Sequence, residues 1–257
     1  NLVYSSGVVA SDVSGVGTAR DGLAAAGYGI DKAIFGYGNT GSVSSLSNLV
    51  NSSGVVATDV TGVGTARQYL AAAGYGEDKA IFGYGSTGSD SSLTNLVTNV
   101  GVVGTDVTGV GNTRAGLAAA TYGTDKAIFG YGYDAGTTAR IATTNLVNNV
   151  GVVAADVSGV GTGRNALAAT GFGSSGQAIF GYGSTGGYVS MTNIVSNTGV
   201  VASDVGGVGT TRYALGAALY GGDKAIFAYG VGSGYYNMSN LVNSSGVVAS
   251  DVSGVET

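Results

Sequence analysis

The chain contains no cysteine, no histidine, no proline and no tryptophan. Without cysteine there is neither a disulfide nor a thiol nucleophile. Without histidine the Ser-His-Asp triad and nearly every zinc site fall away. No cofactor is implied by any remaining motif. Charge is scarce: Asp, Glu, Lys and Arg make up 10% of the chain, with ten Lys plus Arg and a net charge of −5. Phosphate affinity comes from clustered cations, so a nucleic-acid partner is not expected. No apolar run approaches the roughly 18 residues of a membrane span, so membrane insertion is not expected either. No signal-peptide pattern stands at the start, and Asn1 falls inside a repeat copy, which fits a processed or shortened beginning.

Hydrophobic residues reach 44%, which sets the chain apart from disordered solvating segments. Glycine occupies 49 of 257 positions without a Gly-X-Y period, so the chain is not collagenous. The glycines recur instead at fixed places in a repeat, where they read as turns and close strand contacts. Six copies of an Asp-Val motif mark that repeat: Asp12, Asp59, Asp106, Asp156, Asp204 and Asp251, spaced 47, 47, 50, 48 and 47 residues apart. Eight residues after each of the first five stands an arginine, at Arg20, Arg67, Arg114, Arg164 and Arg212. A period of about 40–50 residues signals a propeller, solenoid or array of one supersecondary unit.

Each copy divides into four strand-length pieces. In the second copy these are Leu70–Tyr75, Lys79–Gly85, Asn95–Val97 and Val102–Val107. The first two meet at a Gly-x-Asp turn, a hairpin signal. Pieces this short with glycines between them fit strands better than helices. The alanine-rich first strand suits an innermost position, where repeats crowd around an axis. The second strand alternates large and small residues and should pack between neighbouring sheets. The fourth piece should close each sheet on the outside.

An arginine before a strand of small residues, then a Lys-Ile-Tyr-like strand ending in glycines, resembles the kelch-repeat family. Here that second strand is Lys32-Ala-Ile34-Phe35-Gly36-Tyr37-Gly38 and its equivalents. The strand ends in Gly-Tyr-Gly where kelch has Gly-Gly, and the late kelch tryptophan is missing. Repeats of the regulator-of-chromosome-condensation type are the rival likeness. The copies also resemble glycine-rich arrays of marine phage and environmental proteins, which implies an extracellular or virion-surface setting. The resemblance implies an all-β propeller of four-stranded repeats, each about 47 residues long.

The count favours five blades, with six as the alternative. There are five hairpins but six outer halves. Complete blades follow the frame 18–65, 65–112, 112–162, 162–210 and 210–257. Residues 1–17 are a surplus half-repeat that nearly duplicates 240–255. The whole of 1–257 reads as one domain. Either surplus copy could pair with a neighbouring molecule, so self-association through 1–17 or 240–255 is an expectation.

Of the ten basic residues, only Arg140 lies off a repeat position. The six aspartates and five arginines therefore read as structure first, each carboxylate accepting from the next blade's arginine or from turn amides. A cation-binding ring is the competing reading, but calcium wants 6–8 oxygens around one ion. The remaining carboxylates form no acid–base pair, so catalysis is not expected. Gly-Tyr-Gly triplets lack the βαβ unit of a dinucleotide site.

The copies differ in two places: the pair after each arginine, and the connection between the second and third strands. In an antiparallel meander both exit on one face. That face gathers Asp21, Gln68, Tyr69, Tyr133, Asp134, Arg140, Tyr188, Tyr213, Tyr235 and Tyr236. Tyrosine offers a rigid amphipathic contact. The reading is a non-enzymatic recognition or adhesion propeller that binds a glycan, surface polymer or protein there. The alternative is a structural subunit of a fibre or appendage, assembled by strand exchange of the surplus half-repeat.

Overall fold

The computed structural model describes Ser11 and residues 13–254, and among these the secondary structure is entirely β. Asp12 and most of the half-repeat 1–17 lie outside the described residues. Five modules follow one another. The first holds β1 (Ala24–Tyr28), β2 (Lys32–Gly36) and β3 (Ser47–Val50), and the second β4 (Ala71–Tyr75), β5 (Lys79–Gly83) and β6 (Thr94–Val97). The third holds β7 (Ala118–Tyr122), β8 (Lys126–Gly130), a short hairpin of β9 (Tyr133–Asp134) and β10 (Ala139–Arg140), and β11 (Thr144–Val147). The fourth has β12 (Ala168–Phe172), β13 (Gln177–Gly181) and β14 (Thr192–Val195); the fifth has β15 (Gly216–Tyr220), β16 (Lys224–Ala228) and β17 (Ser239–Val242). Each module is one antiparallel sheet of three strands with the Lys-Ala-Ile-Phe type strand in the middle.

The expected fourth strand is present only as two isolated bridges per sheet. In the first module these are Val50 with Val56 and Ser47 with Val60. The cause is a side chain. Asn48 Nδ2 donates to the Ala57 carbonyl (3.1 Å) and to Asp59 Oδ1 (2.9 Å), so between the bridges the outer segment is pinned by an amide. Asn95, Asn145, Asn193 and Asn240 do the same in the other modules. In the fifth module the bridges join Val242 to Val248 and Ser239 to Val252, so most of segment 240–255 is engaged in its own sheet.

The sheets stand side by side in sequence order, first strand against first strand: β4 lies between β1 and β7, and β12 between β7 and β15. They border one open cavity of about 260 Å³, lined by Ala26, Ala73, Ala120, Thr170 and Leu219 among others. Three backbone hydrogen bonds recur at every junction. Between the first two modules they are Gly29 N to Asp78 O (2.7 Å), Gly38 N to Arg67 O (2.9 Å) and Tyr69 N to Gly22 O (2.8 Å). The last of these begins a ladder that runs through Gly22, Tyr69, Gly116, Ala166 and Ala214. Among the described residues it does not return from Gly22 to Ala214, and no backbone hydrogen bond joins the first and fifth modules.

The apolar core is divided among the four junctions. Strand period two sends Ile34 and Phe35 to opposite sides of their sheet. Ile34, Tyr28 and Tyr37 of the first module thus meet Leu70, Ala80, Phe82 and Val97 of the second. The same set recurs at the next three junctions. At each one a tyrosine ring seats edge-on to the following module's phenylalanine, as Tyr37 on Phe82 with centroids 5.2 Å apart. The next arginine lies over the same ring, Arg67 Cζ being 4.6 Å from the Tyr37 centroid. The tyrosine hydroxyl donates to the carbonyl of Val63 (3.2 Å). Glycine makes the approach possible: a Cβ on Gly36 would lie 2.6 Å from Phe82 Cζ.

Phe129 is fully buried at its junction, whereas Phe35, on the open side of the first module, is 36% exposed. Phe129→Ala should therefore cost about 3–5 kcal/mol of unfolding free energy, and Phe35→Ala much less. Denaturant melts of the two variants check this; equal losses would contradict a core divided by junction.

Candidate functional site

The structural charges form one network per module. Each arginine side chain is buried and reaches inward to the third strand: Arg114 Nη2 donates to Asn145 Oδ1 (2.7 Å) and Arg164 Nη2 to Asn193 Oδ1 (2.7 Å). Its Nη1 donates to the carbonyl two residues earlier, as Arg114 to Asn112 (3.0 Å). The aspartate beside it belongs to the end of the same module. Arg20 pairs with Asp59 (3.6 Å), Arg67 with Asp106 (3.7 Å), Arg164 with Asp204 (3.9 Å) and Arg212 with Asp251 (3.9 Å). In these four modules the partner of the arginine is therefore the aspartate about 40 residues ahead, rather than the one eight residues behind. The connecting chain sets this choice, because Thr65 donates both its amide (3.0 Å) and its hydroxyl (2.6 Å) to Asp106 Oδ2 and so ties the module's first residue to its last.

Burial pushes the Asp106 carboxyl upward, but hydrogen bonds from Thr65 and Asn95 outweigh it and hold the group below its ordinary range. Asp204 and Asp251 are lowered in the same way. Burial pushes the hydroxyls of Tyr37, Tyr84 and Tyr131 up to about 12. Among the described residues no cluster of carboxylates gathers as a metal site would require.

The variable residues assemble on one face. Bridges pair the two variable sets within each module: Asp21 with Asn39, Gln68 with Ser86, Ala115 with Tyr133, Asn165 with Ser184, and Tyr213 with Val231. The backbone ladder from Gly22 to Ala214 then sets these pairs side by side. A different variable contact spans each junction. Asn39 Nδ2 donates to Gln68 Oε1 (2.7 Å), and the Ala135 amide donates to Asp90 Oδ2 (2.7 Å). Arg140 Nε donates to Asn165 Oδ1 (3.0 Å), and the rings of Tyr188 and Tyr213 stack at 4.9 Å with 13° between planes. The result is one continuous band across five modules.

Within the band Tyr69, Tyr188 and Tyr235 expose their rings, Tyr235 almost completely at 93%. Tyr213 and Tyr133 are half-buried, and Arg140 covers the Tyr133 ring at 5.9 Å. The Tyr236 hydroxyl is tied to Ser233 (3.0 Å). Asp134 is buried and accepts from the amides of Gly136 (2.9 Å) and Thr137 (3.2 Å), so its carboxylate is committed to its own turn. Asp21 is exposed and Gln68 half-buried.

Tyr69 occupies a position of left-handed backbone, φ 54°, where other modules place Gly22, Gly116, Ala166 and Ala214. A bulky residue held there costs on the order of 1–3 kcal/mol. Its signal in the sequence is a tyrosine aligned with two glycines and two alanines. Comparison with known protein families and with curated proteins finds no match to this chain.

The network gives two expected outcomes. Arg114→Ala, which strips the ring of Tyr84 and the amide of Asn145 of their shared partner, should cost about 3–5 kcal/mol, checked by urea melts. The pH dependence of stability should have two shoulders. The depressed carboxylates contribute stability above their unfolded pKa of about 3.9, and it is lost as pH falls through that value toward their folded ones. The raised tyrosines contribute stability below pH 10.0, and it is lost as pH rises from there to about 12. Thermal melts across the pH range read both shoulders.

Proposed function

We propose that the chain is a non-enzymatic recognition module, a propeller-like array that holds an extended glycan or similar surface polymer along its variable, tyrosine-bearing band. One observation carries the reading: Tyr69 keeps a strained left-handed backbone and a half-exposed ring at a position that packing alone fills with glycine or alanine. Tyr188 and Tyr235 add exposed rings on the same band. Flat aromatic rings stack on the apolar faces of sugars, and Asp21, Gln68 and Arg140 supply hydrogen-bonding groups between them. The band crosses every junction, so it fits a ligand that spans several modules. The propeller arrangement is supported by first strands that border one cavity and by modules that repeat one junction geometry.

The test is binding to a glycan array and a polysaccharide panel. Tyr69→Ala and Tyr235→Ala should each weaken binding about tenfold or more while the far-ultraviolet spectrum stays unchanged. Val150→Ser, at an exposed position on the opposite end of the module, should leave binding intact. Unchanged affinity in both tyrosine variants, or a ligand mapped to the Val150 end, would overturn the assignment.

A further inference from the structure

The first and fifth modules carry the two unfilled halves of the junction that recurs four times between them. At each internal junction a tyrosine with φ between 62° and 65° leaves its own sheet and enters the next module: Tyr37, Tyr84, Tyr131 and Tyr182. All four rings are essentially fully buried. The fifth module has the same residue in the same conformation, Tyr229 at φ 61°, but its ring is 64% exposed. The strained backbone is kept without the packing that offsets it elsewhere.

The complementary half lies on the first module. Arg20 and Phe35 correspond to the Arg67 and Phe82 that hold Tyr37. They line an apolar cavity of about 450 Å³, together with Leu23, Val55 and Val56. The backbone groups match as well. Inside the array each junction uses two amides of the earlier module, one of its carbonyls, and the reciprocal groups of the later one. On the fifth module the equivalent groups are the amides of Gly221 and Gly230 and the carbonyl of Ala214. On the first they are the carbonyls of Asp31 and Arg20 and the amide of Gly22. None of these six makes a hydrogen bond among the described residues.

We propose that the fifth module of one copy docks on the first module of a second copy, with Tyr229 seated between Arg20 and Phe35 of that copy. The contact is head-to-tail, so it leaves a free half-junction at either end and can repeat. Two features tune it. Val13, Ser14, Gly15 and Val16 border the same cavity as Arg20 and Phe35, so docking must displace them from it. Ala228 stands where the other modules have Gly36, Gly83, Gly130 and Gly181. A Cβ on Gly181 would lie 2.6 Å from Phe227 Cζ. The methyl of Ala228 therefore keeps Phe35 of the second copy from seating fully, and the junction between copies is weaker than those within the chain.

Sedimentation velocity of the full chain at rising concentration tests the proposal. The wild type should associate reversibly. Tyr229→Ala and Phe35→Ala should each be monomeric alone. Mixed, they should form a one-to-one dimer and nothing larger, because one variant retains the socket and the other the plug. That rescue also shows that both variants are folded. Ala228→Gly should tighten association about tenfold. A wild type that stays monomeric throughout, association that survives both single substitutions, or a mixture that remains monomeric would each overturn the proposal.

Discussion

Each module is joined to the next by one tyrosine held between an arginine and a phenylalanine, and the rest of the structure depends on that seat. The edge-on ring pair contributes about 0.5–1.5 kcal/mol beyond the area it buries, and a desolvated arginine over the same ring about 2 kcal/mol. These gains offset the left-handed backbone that aims the tyrosine out of its own sheet. Glycine on either side makes the geometry possible. Gly36 leaves room for the incoming phenylalanine, and Gly38, at φ 106°, turns the chain back toward the next strand.

The arginine ties this seat to the interior of its own module. Its guanidinium touches the previous module's tyrosine on one side, and an asparagine of its own third strand on the other. An aspartate lies 3.6–3.9 Å away in four of the five modules. A buried cation is costly unless its donors are satisfied; carbonyl, amide and carboxylate serve the Nη groups, while Nε finds a carbonyl in Arg164 and Arg212 and no partner in Arg20, Arg67 and Arg114. Because the band on the variable face is held by backbone bonds from Gly22 to Ala214, its side chains are free to differ. Glycine, alanine and tyrosine alternate along one ladder without disturbing it.

Much of this was legible in the sequence because the repeat compares itself with itself. The hairpins, the glycines between strands and the shared exit of the two variable connections follow from strand alternation and spacing. What the described residues carry of the expected propeller is the repeat of antiparallel sheets, arrayed in sequence order around one cavity, with no backbone hydrogen bond among them between the first and last modules. The fourth strand failed because Asn48 and its equivalents carry no charge and drew no attention, although an asparagine stands before Leu-Val or Ile-Val in every copy. Their amides add side-chain bonds between the bridges, beside one backbone bond such as Ala57 N to Leu49 O. The arginine partner was misplaced because proximity along the chain favoured the aspartate eight residues away, and nothing local reveals that Thr65 folds the module's start onto its end. Asp134 looked like a ligand group because it varies, yet its carboxylate closes a turn.

Four separate cores in place of one have a mechanical consequence. Each apolar cluster among the described residues joins two neighbouring modules, so stability is approximately a sum of intrinsic and nearest-neighbour terms. Pulled from its termini, such a molecule yields piece by piece from an end, where a module has one neighbour and not two. Each yielded module pays out about 47 residues of chain, on the order of 150 Å when extended. The array thus behaves as a tether with a staged release of length, and the modules that remain keep their part of the variable band intact under load.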